Sequence, residues 1–550
     1  MALMSLFGGL NAFAQTYTTK NGVKYGLMSD NKCIVIGDDG AKGDITFENE
    51  VTINDHTYPV TGVCGSGDYS DEAKDQKKDF SGNTNITGIT FKTGSQITWI
   101  GDHAFKSCSS LKTINKVPAL DFINSWSFEG TALESVDLSQ TKLQYLPNGC
   151  FYNCEKLKEV KLPSTLTTPN SGTWVEADDA KYGKQAFQKT AIESIDLTNT
   201  QLISLGDYMF ADCPKLMTVK LPSTLKYIWN HAFCNSSLSS ITFPRSLQKI
   251  DAWAFQNTQL TNVVIPTQCS SIEQGAFIDN ANLTTVVING LECYLAYQAF
   301  CNCSKLTDIY ITSKEKPVAE RYGFPFKNDP KVHVMKDFVD IFSGLKTSEN
   351  YNPCNTTNFD SNLPLTLGKE WTTFTSAYNL DFSGVEGLTA YTAKYNEAND
   401  AVALTPVKKV KAHTGLILKG EAGQTYTLPI LASNEAGLEA VTDNQLVDCV
   451  DAVWSTGRKN DYFLSNGKFV KSDNDGWALP GKSFLYISSG RVNQSESPLR
   501  VYVDNTATAI NGITNNPVVK DEAYYNLQGV KVQHPQHGVF IHNGKKVVLK

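Results

Sequence analysis

A phenylalanine returns along this chain every 22 or 23 residues. It occurs at Phe105, Phe128, Phe151, Phe187, Phe210, Phe233, Phe255, Phe277 and Phe300, at intervals of 23, 23, 36, 23, 23, 22, 22 and 23. A period of that length, held over so many turns, belongs to a solenoid. Each repeat is then one supersecondary unit that buries its apolar side only against its neighbours. Folds of this kind work through an extended surface more often than through a catalytic pocket.

The rest of the repeat aligns on the phenylalanine. Five or six residues later comes an aliphatic residue, as at Leu111, Leu133, Leu157, Leu216 and Leu283. Three residues further on an alternating pair follows, such as Val136 with Leu138, Val219 with Leu221, or Val286 with Ile288. Alternation with period two among β-branched residues predicts a short strand with one buried face. Pro163, Pro222, Pro244 and Pro266 follow directly and end the strand, since proline cannot donate a ladder hydrogen bond. A second apolar pair leads back to the next phenylalanine, for example Leu225 and Ile228. A short helical or 3-10 turn is expected around Asp-x-Ala-Phe. Stacked at about 4.8 Å per strand, nine rows make a rod of roughly 40 Å. The interval of 36 is one repeat plus a 13-residue insertion near 168–180, expected as a surface loop because the apolar positions stay in phase.

Residues 100–114, Ile-Gly-Asp-His-Ala-Phe-Lys-Ser-Cys-Ser-Ser-Leu-Lys-Thr-Ile, resemble the BspA-type leucine-rich repeats of Bacteroidetes surface proteins. So do residues 209–225, Met-Phe-Ala-Asp-Cys-Pro-Lys-Leu-Met-Thr-Val-Lys-Leu-Pro-Ser-Thr-Leu. The resemblance covers about residues 56–340. Tyr58-Pro59-Val60-Thr61-Gly62-Val63 is similar to the first strand of that family. It implies a mainly β chain with an N-terminal β cap over 15–80, a leucine-rich-repeat solenoid over 81–342, and a role as an adhesin-like surface protein.

Charged residues make up 19% of the 550 and the net charge is −7, which gives no sign of a nucleic-acid-binding surface. Residues 1–14 read as a secretory signal peptide. Their apolar run ends in Ala12-Phe13-Ala14, an A-x-A cleavage pattern, although a basic segment ahead of it is missing. The other reading is a disordered apolar N-terminus. No other apolar run reaches the ~18 residues of a membrane span. Of 13 cysteines, Cys108, Cys154, Cys213 and Cys303 sit three residues after the repeat phenylalanine, an inward position that suits a small side chain. Two repeats put Cys108 and Cys154 about 10 Å apart, beyond disulfide reach. Cys213 and Cys234 lie in adjacent repeats and could be bridged.

Residues 343–366 read as a linker. Over 367–505, short strand-like runs alternate with Gly, Asn and Asp, predicting a β-sandwich-like domain. Among these runs are Trp371-Thr372-Thr373-Phe374, residues 414–419 and residues 483–487. Gly415-Leu416-Ile417-Leu418-Lys419-Gly420 and Lys482-Ser483-Phe484-Leu485-Tyr486-Ile487 are similar to a module found near the C-terminus of secreted Bacteroidetes proteins. Residues 506–550 resemble a C-terminal sorting or anchoring tail. An ordinary hairpin pair is the other reading, because Asn543-Gly544 between apolar runs is a turn signal by itself.

The chain carries no His-Glu-x-x-His, Gly-x-Ser-x-Gly or phosphate loop, so neither an enzyme nor a cofactor is expected. His103 and His231 share one repeat position, which marks a turn. His534, His537 and His542 have no carboxylate or cysteine to complete a metal site, and Glu176, Asp178 and Asp179 are too few for a calcium loop. The outward residues of the predicted strands run Asn115, Asp137, Lys161, Asp196, Lys220, Thr242, Val264, Val287 and Tyr310. The first part alternates acid and base, a self-supporting pattern on a ladder. The strip Thr242, Val264, Val287 and Tyr310 turns apolar and is the candidate ligand-binding surface. Packing of the linker or of the C-terminal domain on it is the competing reading. Expected partners are a host or bacterial surface protein or glycan. A second possibility is glycan binding by the C-terminal domain through Trp371, Trp454 or Trp477.

Overall fold

A computed structural model describes residues 17–28, 30–65, 79–115, 120–168, 183–290, 293–296, 298–312, 330–339, 359–439, 441, 443–456, 460–472, 475–488 and 497–503, and four strands between 524 and 549. The repeats form a solenoid with two parallel ladders. The first uses the predicted alternating strands. Asn262–Ile265, Thr285–Ile288, Asp308–Ile311 and Lys331–His333 pair in succession, with Val263, Val286, Ile309 and Val332 in register. The second ladder is built from the apolar pairs ahead of each phenylalanine. It runs through Ser204–Leu205, Tyr227–Ile228, Lys249–Ile250, Ser271–Ile272 and Tyr294–Leu295. These strands are two residues long, too short to show a period in the sequence.

Between the ladders lies a column of stacked rings. Phe105 to Phe300 follow one another at centroid distances of 5.1–5.7 Å with nearly parallel planes. The column passes the insertion unbroken, with Phe151 and Phe187 5.7 Å apart. It also starts one ring earlier than the periodicity shows: Phe80, inside the expected cap, stacks on Phe105 at 5.3 Å. All ten rings are buried. The turn that carries each ring is itself a ladder. The Phe105 N–H donates to Ser127 O, that of Phe187 to Met209 O, and that of Phe255 to Ala276 O.

These turns are not the short helices expected. Among the described residues, 3-10 helix occurs only at Lys336–Phe338 and Glu397–Asn399. The residues two before and two after each phenylalanine are left-handed, as at Tyr208 (φ 55°) and Asp212 (φ 56°), or Trp253 (φ 53°) and Asn257 (φ 53°). Two reversals of φ within five residues break the right-handed run a helix needs. The aromatics at the first of these positions stack in their turn. His231 lies between Tyr208 (4.6 Å) and Trp253 (5.1 Å), and the Trp253 ring ends over Gly275, where a Cβ would come within 2.8 Å of it.

The inward position after each ring is polar throughout: Cys108, Thr131, Cys154, Thr190, Cys213, Ser236, Thr258, Asn280 and Cys303 are all buried. Apart from Ser236, whose buried hydroxyl has no hydrogen-bond partner, its side chains tie turns and rungs together. The Cys154 thiol donates to Phe128 O (3.1 Å), which also accepts from Thr131 Oγ1 (3.0 Å), and Cys213 does the same to Phe187 O (3.1 Å). Burial pushes the Cys213 thiol up to about 11. Cys213 and Cys234, placed for a possible bridge, are both thiols.

At the N-terminus, Tyr17–Lys20, Val23–Leu27 and Cys33–Asp38 form an antiparallel meander. It joins the solenoid through His56–Val63, which pairs with Trp99–Ile100. At the other end, Phe359–Asp360 lies within the stretch read as linker, yet adds a parallel strand to Lys331–His333. Beyond it, Trp371–Phe374, Leu416–Lys419, Thr389–Asn396, Ala401–Val407 and Arg500–Val503 form a five-stranded sheet. Leu446–Cys449, Lys482–Tyr486, Asp461–Ser465 and Lys468–Lys471 form a four-stranded one. Tyr391, Val402, Leu404 and Ile417 of the first share a core with Leu446, Tyr462, Phe469 and Leu485 of the second. In the tail, Tyr524–Tyr525, Lys531–Val532, Gly538–His542 and Lys545–Leu549 make a small antiparallel sheet.

Removing one ring from the column leaves a cavity bounded by rings on both sides. Phe210→Ala is expected to cost about 3–5 kcal/mol, read as a shift in the denaturant midpoint. A change below about 1 kcal/mol would mean that neighbouring rungs close the gap.

Candidate functional site

The outward row of the first ladder changes character along its length. Near its start the Asn115 side chain pairs with both the N–H and the carbonyl of Phe91, at 2.6 and 2.8 Å, and so finishes the edge. Asp137 stands opposite Lys161 and Asp196 opposite Lys220, the latter pair in contact at 2.8 Å. Burial raises the Asp196 carboxyl, but Lys220 and Thr198 outweigh it and hold it below its ordinary value. Both partners are largely exposed, so the pair is worth at most about 1 kcal/mol.

Thr242, Val264 and Val287 are half-buried, and Tyr310 is only 9% exposed. Tyr310 belongs to one core with Met335, Tyr378, Leu380 and Phe382, and Val287 packs against that core. The C-terminal domain thus sits on the end of the strip. The Tyr310 ring stacks on His333 at 4.4 Å. His333 is buried, with its ring nitrogens 3.0 Å from Asp308 and 2.6 Å from Asp360, and its carbonyl accepts the Tyr378 hydroxyl at 2.9 Å. Burial drives the Tyr310 and Tyr378 phenols far above their ordinary range.

A polar seam extends the contact. Asp451 accepts from the Thr267 N–H (3.0 Å) and hydroxyl (2.6 Å), and Asn289 donates to Val450 O at 3.3 Å. Pro244 and Ala452 form a parallel β-bridge. Burial raises the Asp451 carboxyl against the pull of these donors. Behind the seam, Asp448 accepts from Thr375 Oγ1 (2.8 Å) and the Val450 N–H (2.9 Å) and meets His413 Nδ1 at 2.8 Å. The Asp448 carboxylate holds the His413 imidazole above its ordinary value.

Among the described residues of the solenoid two large apolar side chains are exposed, Met217 (51%) beside the first ladder and Phe122 on the other. Phe122 is 42% exposed and pairs in register with half-buried Trp99. Half-buried Tyr145 occupies the same repeat position, six residues before its phenylalanine. The sequence signal for this row is three successive aromatics at one phase of the repeat, at a position that strand patterning does not mark. In the C-terminal domain, Trp371 is half-buried, stacks on Tyr391 at 6.0 Å and has the Lys419 ammonium 5.2 Å from its ring. The backbones of Trp454 and Trp477 pair across two strands. The same domain holds a cleft of about 780 Å³ lined by Thr392, Lys394, Asn396, Thr405, Glu439 and Asp443. Glu176, Asp178 and Asp179 lie outside the described residues, as do His534 and His537. Among the described residues no three His, Cys, Asp or Glu side chains gather as metal ligands, and no helix is long and apolar enough to cross a membrane.

The family model for the BspA type leucine rich repeat region matches residues 76–176 and 180–319 in six copies. The solenoid is a BspA-type leucine-rich-repeat region. The match indicates no catalytic family. Among solved structures, this chain is similar to a leucine-rich repeat protein from Bacteroides ovatus, at 18% identity over 62% of this chain and 99% of the other, with a TM-score of 0.36. It is also similar to the pneumococcal vaccine antigen PcpA, at 18% identity over 62% and 97%, TM-score 0.31. A leucine rich cell surface protein from Faecalibacterium prausnitzii follows, at 20% identity over 55% and 96%, TM-score 0.30. No curated protein sequence matches the chain.

Two outcomes test this BspA-type solenoid and its junction. Tyr310→Ser with Val287→Thr is expected to cost about 3–5 kcal/mol, as for other large-to-small core changes, and to lower the Tm by many degrees. An unchanged Tm would return the strip to the surface. For His413, a raised folded pKa means stability that is complete below the unfolded value of about 6.5 and fades as pH rises through the folded one. The Tm gap between wild type and His413→Gln should therefore be wider at about pH 5.5 than at about pH 9. A gap that does not vary with pH would remove the ion pair from the account.

Proposed function

We propose that this protein is a secreted or cell-surface, non-enzymatic, adhesin-like binding protein whose solenoid presents an elongated face to a protein or glycan. The observation that carries the reading is the aromatic row Trp99, Phe122 and Tyr145 at one repeat position, with Trp99 and Phe122 held on paired strands, Phe122 exposed and the other two half-buried. Aromatics fixed in this way bind at low entropic cost and dominate many interfaces. The strip on the other ladder belongs to a different face, where Thr242 and Val264 are half-buried and Val287 and Tyr310 pack against the C-terminal domain. The repeat family and the surface-protein name of one structural relative support a surface location. The A-x-A pattern at residues 12–14 and the C-terminal tail fit a route there.

A second reading is glycan recognition by the C-terminal domain. The 780 Å³ cleft favours it, since hydroxyl, amide and carboxylate groups line it and that size falls in the range of ligand sites.

The test is a binding screen of the intact chain against host matrix proteins and a glycan panel, followed by point variants. Phe122→Ser with Trp99→Ser should weaken solenoid binding by about thirtyfold, the loss of a 2 kcal/mol hot spot, at an unchanged Tm. Val264→Ser reports on the remaining strip. Loss of binding on Lys394→Ala or Thr405→Ala alone would move the site to the second domain. Binding that withstands all of them would overturn both placements.

A further inference from the structure

Eight residues before six of the rings the solenoid buries an aliphatic side chain: Ile97, Leu120, Leu143, Leu202, Leu225 and Leu247. The last two rungs of this column break the rule in the same way. Cys269 stands eight residues before Phe277, and Cys293 takes the corresponding inward place one residue later in phase, seven before Phe300. Both are fully buried.

These two cysteines differ from those that follow the rings. Cys108, Cys154 and Cys213 each donate to a phenylalanine carbonyl one rung away at 2.9–3.1 Å. The contacts of Cys269 and Cys293 to backbone carbonyls are long, 3.5 Å to Ser271 O and 3.9 Å to Tyr294 O. Their closer relation is to each other. Ser271 pairs in register with Tyr294, so the two cysteines stand on adjoining rungs, staggered by one residue. A rung spacing of about 4.8 Å and a stagger of about 3.3 Å put their Cα atoms about 6 Å apart, in the usual range of a disulfide. The neighbouring Cys269 thiol together with burial pushes the Cys293 thiol well up. Gly290 makes the room: a Cβ there would lie 2.5 Å from Cys269 O and 2.9 Å from Cys293 Cβ. A cysteine also fills less space than the leucine it replaces. Two such deficits on adjoining rungs are what a sulfur–sulfur bond would occupy.

We propose that Cys269 and Cys293 are a disulfide site, a covalent rung that closes the C-terminal end of the solenoid when the chain folds under oxidising conditions. The co-reactant is a low-molecular-weight or protein disulfide. One cysteine thiolate attacks it to give a mixed disulfide and release one thiol. The second cysteine then displaces the other thiol. Two protein thiols are oxidised to one disulfide, and one external disulfide is reduced to two thiols. Both sulfurs are buried in the finished fold, so the exchange belongs to the folding stage, before the last two rungs close.

The experiment refolds the full chain in oxidised or in reduced glutathione, alkylates the remaining thiols and cleaves after glutamate. Cuts after Glu273 and Glu292 place the two cysteines on different peptides. The expected product of oxidative refolding is a pair of these peptides joined through Cys269 and Cys293, lighter by two hydrogens than their sum and separated by reduction. Oxidised wild type should melt several degrees above the reduced form, and Cys269→Ser should abolish both the joined peptide and that difference. Full alkylation of both cysteines after oxidative refolding, or joining of Cys293-bearing peptide to another cysteine, would overturn the proposal. So would a melting difference that persists in Cys269→Ser.

Discussion

Everything in this protein rests on the register between one coil and the next. Rungs hydrogen-bond to their neighbours at up to three places: the first ladder, the second ladder and the ring-bearing turn. The ring column and the buried polar column lock the same register from inside, because a ring stacks, and a thiol or hydroxyl reaches the next carbonyl, only when the rungs are aligned. The left-handed residues on either side of each ring follow from this. Single residues in that region cost roughly 1–2 kcal/mol, and the strain is tolerated because the turn must keep its N–H groups aimed along the solenoid axis. Asparagine and aspartate at the second of these positions reduce the cost and add their own row, as when Asn235 donates to Asp212 and Asn257 to Asn235.

A stack of this kind has two ends with unsatisfied edges, and the chain treats them differently. The N-terminal end grows out of an antiparallel meander that turns into the second ladder. The C-terminal end is closed by packing. His333 and Tyr310 carry the first ladder's outward row into the core of the next domain, and Phe359–Asp360 supplies a last paired strand. The buried His333 ring between Asp308 and Asp360 gives this junction direction as well as area. The consequence for function is that the two faces of the solenoid are unequal. One is largely committed near its end to internal contact, and the other keeps its aromatics accessible.

Much of this was legible before any coordinates. The phenylalanine period and the alternating pairs specify rungs, insertion and first ladder, because they are direct consequences of what must be buried. Phe80 was not visible, since it precedes Phe105 by 25 residues, outside the regular step. The left-handed turns were not visible either. Trp126, Tyr208 and Trp253 hold positions where glycine or asparagine would be the usual sign, so stacking overrides local preference there. Parity along a strand places Tyr310 outward but says nothing of what lies outside. Its burial depends on residues such as Tyr378 and Leu380, distant in sequence. The Trp99 and Phe122 row was overlooked for a related reason: two-residue strands give no pattern to read.

The seam at Pro244, Thr267 and Asn289 anchors the C-terminal domain to particular rungs. Whole units gained or lost on the far side of Pro244 leave that seam untouched, and the intact ring column across the insertion after Thr168 illustrates such freedom. Units gained on the near side would slide every docking partner out of place. The molecule can therefore lengthen by duplication in one direction only, like a telescope fixed at its base, and its reach can diversify while the junction stays constant.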